Sequence, residues 1–176
     1  GLAKLQERQR DVAKARHHLE QALAQRGNLP LRERLYLDAW HDELSERRWA
    51  LEHWEALARL FPDFAAGPSN ASWYLLMDNR FSQAIPYARS AGYGRHPMRN
   101  YTLLHLARAQ LGMGDYDQAL STLDDVKALT GKDSDVRAEI LAALGRLEEA
   151  DAVLAPMLAG NDLFARPTAL RATVMM

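Results

Sequence analysis

The chain has 176 residues, of which 48% are apolar, so it can build one hydrophobic core or one short repeat array. Its 22 basic and 23 acidic side chains give a formal net charge of −1, which disfavours a nucleic-acid or anionic-membrane surface, because such surfaces need clustered positive charge. The absence of cysteine excludes disulfides, thiol catalysis and cysteine-based zinc sites. No apolar run approaches the roughly 20 residues that cross a bilayer.

In chain order, apolar residues with a helical period predict a long first helix that stops near Gly27, and then pairs of helices separated by turn residues. The predicted elements are a leading helix within 1–28, hairpins over 31–62, 68–95, 98–131 and 132–160, and a partial terminal helix within 162–176. No stretch alternates apolar and polar residues, so the sequence predicts no β-sheet. We expect one array over residues 1–176 and no second domain.

Alanine recurs at intervals of 35, 34, 35 and 31 residues. The recurring positions are Ala15, Ala50, Ala84, Ala119 and Ala150. A period of this length is typical of helical hairpins stacked in a row. Because a methyl side chain lets two helix backbones approach, we expect each alanine to lie at a close helix crossing, with larger apolar residues on either side.

Residues 103–131 combine this alanine with large apolar residues and a glycine turn. The matching positions are Leu103, Leu106 and Ala107 in the first helix, Gly114 and Tyr116 at the turn, and Ala119, Leu123 and Val126 in the second helix. The pattern resembles a tetratricopeptide repeat, and the resemblance extends over nearly the whole chain. It implies an all-α, right-handed superhelix (solenoid) of about four hairpins preceded by a half-repeat.

Two further features qualify the resemblance. In the first full repeat Asp38 stands where the pattern has a small residue, so this helix could be shifted by one residue, which would bring Trp40 to the inner face beside Tyr36. The segments 29–40 and 60–64 show a looser likeness to helical-repeat regions attached to bacterial signalling proteins and transcriptional regulators.

The resemblance implies a binding surface, because in this family the first helix of each pair lines the inner face. The candidate peptide- or protein-binding residues are Tyr36, Asn70, Trp73, Tyr101, His105 and Arg108. Tyrosine, tryptophan and arginine are enriched at protein interfaces. Arg108 could form two parallel hydrogen bonds with a carboxylate of the partner. Trp73 has an alternative interpretation as core between repeats, and the same alternative applies to Leu104 and Met77.

Patterns that suggest catalysis or metal binding are weak. His17 and His18 are adjacent and point to different faces of a helix, and no histidine pair has the spacing that places two imidazoles on one face. Gly112 and Gly114 flank Met113 but lack the lysine of a phosphate loop, and no strand precedes them. We therefore expect no catalytic residue, no metal and no cofactor.

The leading hypothesis is a non-catalytic interaction module that binds a peptide or helix in the concave groove. The alternative is a sensor or regulatory segment of a larger bacterial signalling protein, such as a cyclase, kinase or transcriptional regulator. The chain begins at Gly1 inside a helical pattern, so we expect it to be a piece of a longer protein. We expect protein or peptide partners, no nucleic acid, no membrane contact within residues 1–176, and self-association through the ends, where residues 170–176 are largely apolar. The expected location is cytoplasmic, or periplasmic if the parent protein is anchored in a membrane.

Overall fold

A computed structural model of the chain describes residues 2–45 and 47–159, with side chains described for 11–45 and 49–159. These residues form nine α-helices and a short 3₁₀ turn (Arg26–Asn28), and they contain no strand. The helices are α1 (Leu2–Ala24), α2 (Leu31–Ser45), α3 (Arg47–Leu60), α4 (Ala66–Met77), α5 (Phe81–Gly92), α6 (Arg99–Met113), α7 (Tyr116–Thr130), α8 (Asp135–Ala143) and α9 (Leu147–Ala159). The all-α prediction is confirmed, and the predicted helix within 162–176 lies outside the described residues.

Neighbouring helices pack in adjacent pairs, as in a helical-repeat solenoid. Contacts join α2 to α3, α5 to α6, α6 to α7, and α8 to α9. They divide the chain into two units, residues 1–71 and residues 72–176, with the division inside α4. A single array over residues 1–176 stays a prediction. In the part of the chain that the structure describes, no helix has the length and apolar character of a membrane span.

The core of the first unit lies between α2 and α3. Ala39, Ala50 and Trp54 have no exposed surface there. Gly67, near the start of α4, lies close to α3, because a Cβ built on it would come within 2.7 Å of the backbone nitrogen of Ala58. Only glycine permits so close an approach of two backbones.

Ala15 contradicts the prediction that each recurring alanine lies at a helix crossing. The other four, Ala50, Ala84, Ala119 and Ala150, are fully buried, whereas Ala15 is exposed. Among the described residues, no helix precedes α1. In its C-terminal half α1 contacts α2, where the guanidinium of Arg16 donates a 2.9 Å hydrogen bond to the carbonyl oxygen of Leu44.

The register of α2 is shifted by one residue, as the sequence allowed. Ala39 is fully buried in α2, at the place that the repeat pattern would give to residue 38. The carboxylate of Asp38 instead accepts a hydrogen bond from Arg26 at 2.6 Å. A single residue separates α2 from α3, whereas two separate α6 from α7, which accounts for the shift.

The three hairpin turns of the second unit share one geometry. Asn79, Gly114 and Gly145 occupy equivalent positions and have φ angles of 57°, 78° and 73°, in the left-handed region. In each turn the next residue's amide donates to a carbonyl five residues earlier. The donors are Arg80, Asp115 and Arg146, and the acceptors are Leu75, Gln110 and Leu141, at 2.8–2.9 Å. This is the hydrogen bond of a Schellman cap, which satisfies carbonyls at the end of the first helix.

Apolar side chains of α5 to α9 form two buried clusters in the second unit. The larger contains Ala88, Leu103, Leu106, Ala107, Ala119, Leu123, Val126, Val136 and Ile140, and the smaller contains Ala138, Leu141, Ala150 and Leu154. Gly112 lies so close to the ring of Phe81 that a Cβ would come within 2.6 Å of it. Leu103, Leu106 and Ala107 of the larger cluster lie on α6. The cluster therefore fixes the position of the helix that carries three of the six predicted site residues.

Candidate functional site

Helix α6 presents three predicted site residues along one stripe. Tyr101, His105 and Arg108 have the i, i+4, i+7 spacing that brings side chains to the same face of a helix. Tyr101 is 54% exposed, and His105 and Arg108 are half-buried. At 1.5 Å per residue, the Cα atoms of Tyr101 and Arg108 are about 10 Å apart along the helix axis.

The C-terminal half of α4 contacts the middle of this stripe. The ring of Trp73 lies 5.3 Å from the ring of His105, centroid to centroid, at an interplanar angle of 38°. The Oγ of Ser72 is 3.1 Å from Nδ1 of His105, and Ser72 is fully buried. This hydrogen bond with the buried side chain of Ser72 holds the imidazole of His105 in place. Trp73 remains 38% exposed, so it is only partly core.

Helix α8 contacts the C-terminal end of the stripe through an ion pair. The Nη2 of Arg108 donates to Oδ2 of Asp135 at 3.2 Å. The Oδ1 of Asp135 accepts from the hydroxyl of Ser134 at 3.1 Å. The arginine that the sequence assigned to a partner's carboxylate is thus already in contact with a carboxylate of its own chain.

These contacts join the first helices of three successive hairpins into one surface. We call it the α4–α6–α8 surface and define it by Trp73, Tyr101, His105, Arg108 and Asp135. It is aromatic where α4 meets α6 and charged where α6 meets α8. Such a surface can bury an apolar side chain at one end and exchange hydrogen bonds with a charged group at the other.

The other two predicted residues, Tyr36 and Asn70, belong to the first unit. The ring of Tyr36 lies 5.5–6.2 Å from the rings of Trp40, Trp54 and Phe64, all at steep angles. Tyr36 is half-buried, and its edge-to-face contacts make it part of an aromatic core. Asn70 is half-buried on α4. A role in binding stays a prediction for both residues.

Sequence reasoning missed Ser72 and Asp135 as partners of the predicted residues. Ser72 occupies the position that Ala107 and Ala138 hold in the following hairpins. A hydroxyl at a position that otherwise carries a methyl group was a usable signal, because a buried hydroxyl needs a hydrogen-bond partner. The pairing of Asp135 with Arg108 had no comparable signal, since it depends on how α6 and α8 pack.

A second charged region of this unit lies between α7 and α9. Its ion pairs join Lys127 to Asp133, Arg137 to Asp124 and Asp133, and Arg146 to Glu149. The hydrogen bond from the Arg146 guanidinium lowers the pKa of the Glu149 carboxyl. Every one of these charges faces an opposite one. Within residues 11–45 and 49–159, no three histidine, aspartate or glutamate side chains form a group that could hold a metal ion.

Comparison with known proteins matches residues 75–138 to the family model of the tetratricopeptide repeat. The match runs from α4 through α5, α6 and α7 into α8, and so includes the stripe on α6. Residues 75–138 therefore match the tetratricopeptide repeat, the family that the sequence pattern resembled. Repeats of this family generally mediate protein–protein interaction and are typically non-catalytic. No curated protein and no solved structure matches the chain significantly.

Proposed function

We propose that this chain is a non-catalytic interaction module that binds a peptide segment of a partner protein on the α4–α6–α8 surface. One observation carries the proposal. Trp73 and Tyr101 remain 38% and 54% exposed on the surface where the ring of Trp73 packs against that of His105, which shares a helix face with Tyr101. Aromatic residues left in water within a structured surface are typical of binding sites.

The two exposed rings, Trp73 and Tyr101, can supply binding free energy when a partner covers them. Burying aromatic surface is favourable by roughly 25 cal/mol per Å². Tryptophan and tyrosine lose little conformational entropy on binding, because each has only two side-chain torsions. His105 is already fixed by Ser72, so the part of the site between the two rings is organised before a partner arrives. A peptide side chain that fills this part would gain affinity at low ordering cost.

The test is a selection of random twelve-residue peptides displayed on phage, followed by affinity measurements on the enriched sequences. Tyr101→Ala and Trp73→Ala should each weaken binding about tenfold or more, as for interface anchors. Matched controls are Leu147→Ala and Leu129→Ala, which truncate side chains that are 50% and 40% exposed on α9 and α7. Both controls should bind as the parent chain does.

Circular dichroism of each variant separates lost binding from lost folding. Folded Tyr101→Ala and Trp73→Ala variants that keep full affinity would overturn the proposal. The same holds if no peptide is enriched, or if the controls weaken binding equally.

Three finer expectations stay predictions. A role as the sensor or regulatory segment of a larger bacterial signalling protein is tested by the open reading frame around this chain. Self-association through the ends is tested by light scattering after size exclusion. A cytoplasmic location is tested by fractionation of the source cells.

A further inference from the structure

The ion pair between Arg108 and Asp135 is geometrically incomplete. A single hydrogen bond of 3.2 Å joins the two side chains, whereas charge-assisted pairs are typically 2.7–2.9 Å and arginine often pairs through two parallel bonds. The side chain of Arg108 is 33% exposed and that of Asp135 is 15% exposed. The guanidinium of Arg108 has five N–H donors in a fixed fork, so it can donate to a carboxylate of another molecule in a better geometry.

We infer that Asp135 holds Arg108 as an internal stand-in for a carboxylate of the bound peptide, which replaces Asp135 and pairs with Arg108 through two hydrogen bonds. This inference rests on the proposed function, because it specifies the charge of a peptide bound on the α4–α6–α8 surface. Asp135 then sets selectivity: neutral and basic side chains cannot displace it, whereas aspartate and glutamate can.

The stripe on α6 also sets the spacing within the peptide. Tyr101 and Arg108 are about 10 Å apart along the helix. An extended chain advances about 3.3–3.6 Å per residue, so three residues cover that distance. The preferred peptide therefore carries an aromatic or large apolar residue and an acidic residue three positions apart. The apolar residue packs beside Tyr101 and Trp73, and the carboxylate contacts Arg108.

The experiment uses synthetic twelve-residue peptides with capped ends and a serine–alanine background. Each carries one phenylalanine and one glutamate, one to six positions apart and in both orders, and a matched set carries glutamine in place of glutamate. Affinity is measured by fluorescence polarisation against the parent chain, Arg108→Gln, Asp135→Asn and Asp124→Asn. Asp124→Asn is the matched control, because it removes one negative charge from a 70% exposed side chain between α7 and α9.

The parent chain should bind the glutamate peptide with three-residue spacing about two- to fivefold more tightly than its glutamine counterpart, which is the range of a partly exposed charge pair. Arg108→Gln should remove that preference. Asp135→Asn should increase it by a similar factor, because the internal competitor no longer carries charge, whereas Asp124→Asn should leave it unchanged. Circular dichroism confirms that each variant is folded.

Two sets of results would overturn the inference and are distinguishable. If peptides bind and depend on Trp73 and Tyr101, but glutamate, Arg108→Gln and Asp135→Asn make no difference, the inference fails and the proposed function stands. An equal gain from Asp135→Asn and Asp124→Asn also refutes it, because the effect is then general charge attraction. If no peptide binding depends on Trp73 or Tyr101, the proposed function fails as well.

Discussion

The two units use the same kinds of aromatic residue in opposite ways. In the first unit, Trp54 has no exposed surface and lies 5.8 Å from Tyr36 and from Trp40, in steep edge-to-face contacts. In the second unit, Trp73 and Tyr101 are 38% and 54% exposed, and aliphatic side chains fill the core. Residue type alone therefore does not separate core from binding surface in these repeats. Trp54 packs against two rings and is fully buried, whereas Trp73 packs against the ring of His105 and keeps 38% of its surface exposed.

The largest expected effect is on the free energy of unfolding, when Trp54 and Trp73 are each replaced by alanine. Trp54→Ala should destabilise the first unit by about 3–5 kcal/mol, because it leaves a large cavity among Tyr36, Trp40 and Phe64. Trp73→Ala should cost clearly less, since part of its ring is already in water. Urea unfolding followed by circular dichroism measures both losses. Equal losses would contradict the contrast between a buried and an exposed aromatic group.

The next effect tests the alanine crossings of the two units. Ala119→Leu should destabilise the chain by about 1–3 kcal/mol, because the fully buried crossing of α6 and α7 has no room for three more carbons. Ala15→Leu should change stability by less than about 0.5 kcal/mol, because Ala15 is exposed on α1. Thermal and urea unfolding of the two variants give the comparison. A large loss in Ala15→Leu would mean that the face of α1 is covered.

A smaller effect should come from the left-handed turns. Gly114→Ala should cost about 1 kcal/mol, because its φ of 78° strains any residue with a Cβ, although the space around it is open. Gly27→Ala, in the 3₁₀ turn of the first unit, also meets open space and has no positive φ, so it should be neutral or slightly stabilising. Urea midpoints at constant slope report the difference, and similar losses at both positions would refute the turn argument.

The smallest effect depends on pH. Partial desolvation of the Tyr93 hydroxyl, followed by its 2.9 Å hydrogen bond to Asp125, raises the pKa of Tyr93 above its ordinary value near 10. The protonated form is thus favoured in the folded chain, so its contribution is fully present below pH 10 and is lost as the pH rises through the raised pKa. Tyr93→Phe and Asp125→Asn should both flatten the fall in stability above about pH 10. An unchanged slope in both variants would contradict this.

The sequence predicted the parts of the fold that depend on local pattern. The helices, their turns and the buried alanines at positions 50, 84, 119 and 150 follow from apolar periodicity and from glycine at left-handed positions. It failed at Ala15, which lies exposed on α1 although its sequence setting resembles that of the four buried alanines. For the candidate site, the spacing on α6 placed Tyr101, His105 and Arg108 on one face. The pairing of Arg108 with Asp135 was not predictable, because these residues are 27 positions apart in sequence and meet only through the packing of α6 and α8.

The identical hydrogen bonds at the three turns determine where the chain can vary in length. The repeat interval changes from 35 to 31 residues. The distance from the turn residue to the next fully buried alanine nevertheless stays the same, from Asn79 to Ala84, from Gly114 to Ala119 and from Gly145 to Ala150. In the second unit the interval therefore varies between hairpins, in segments such as Gly131–Ser134, and not at the turns within them. An engineer who wants to insert a tag, lengthen the array or graft one hairpin into another protein should cut there and leave each turn whole.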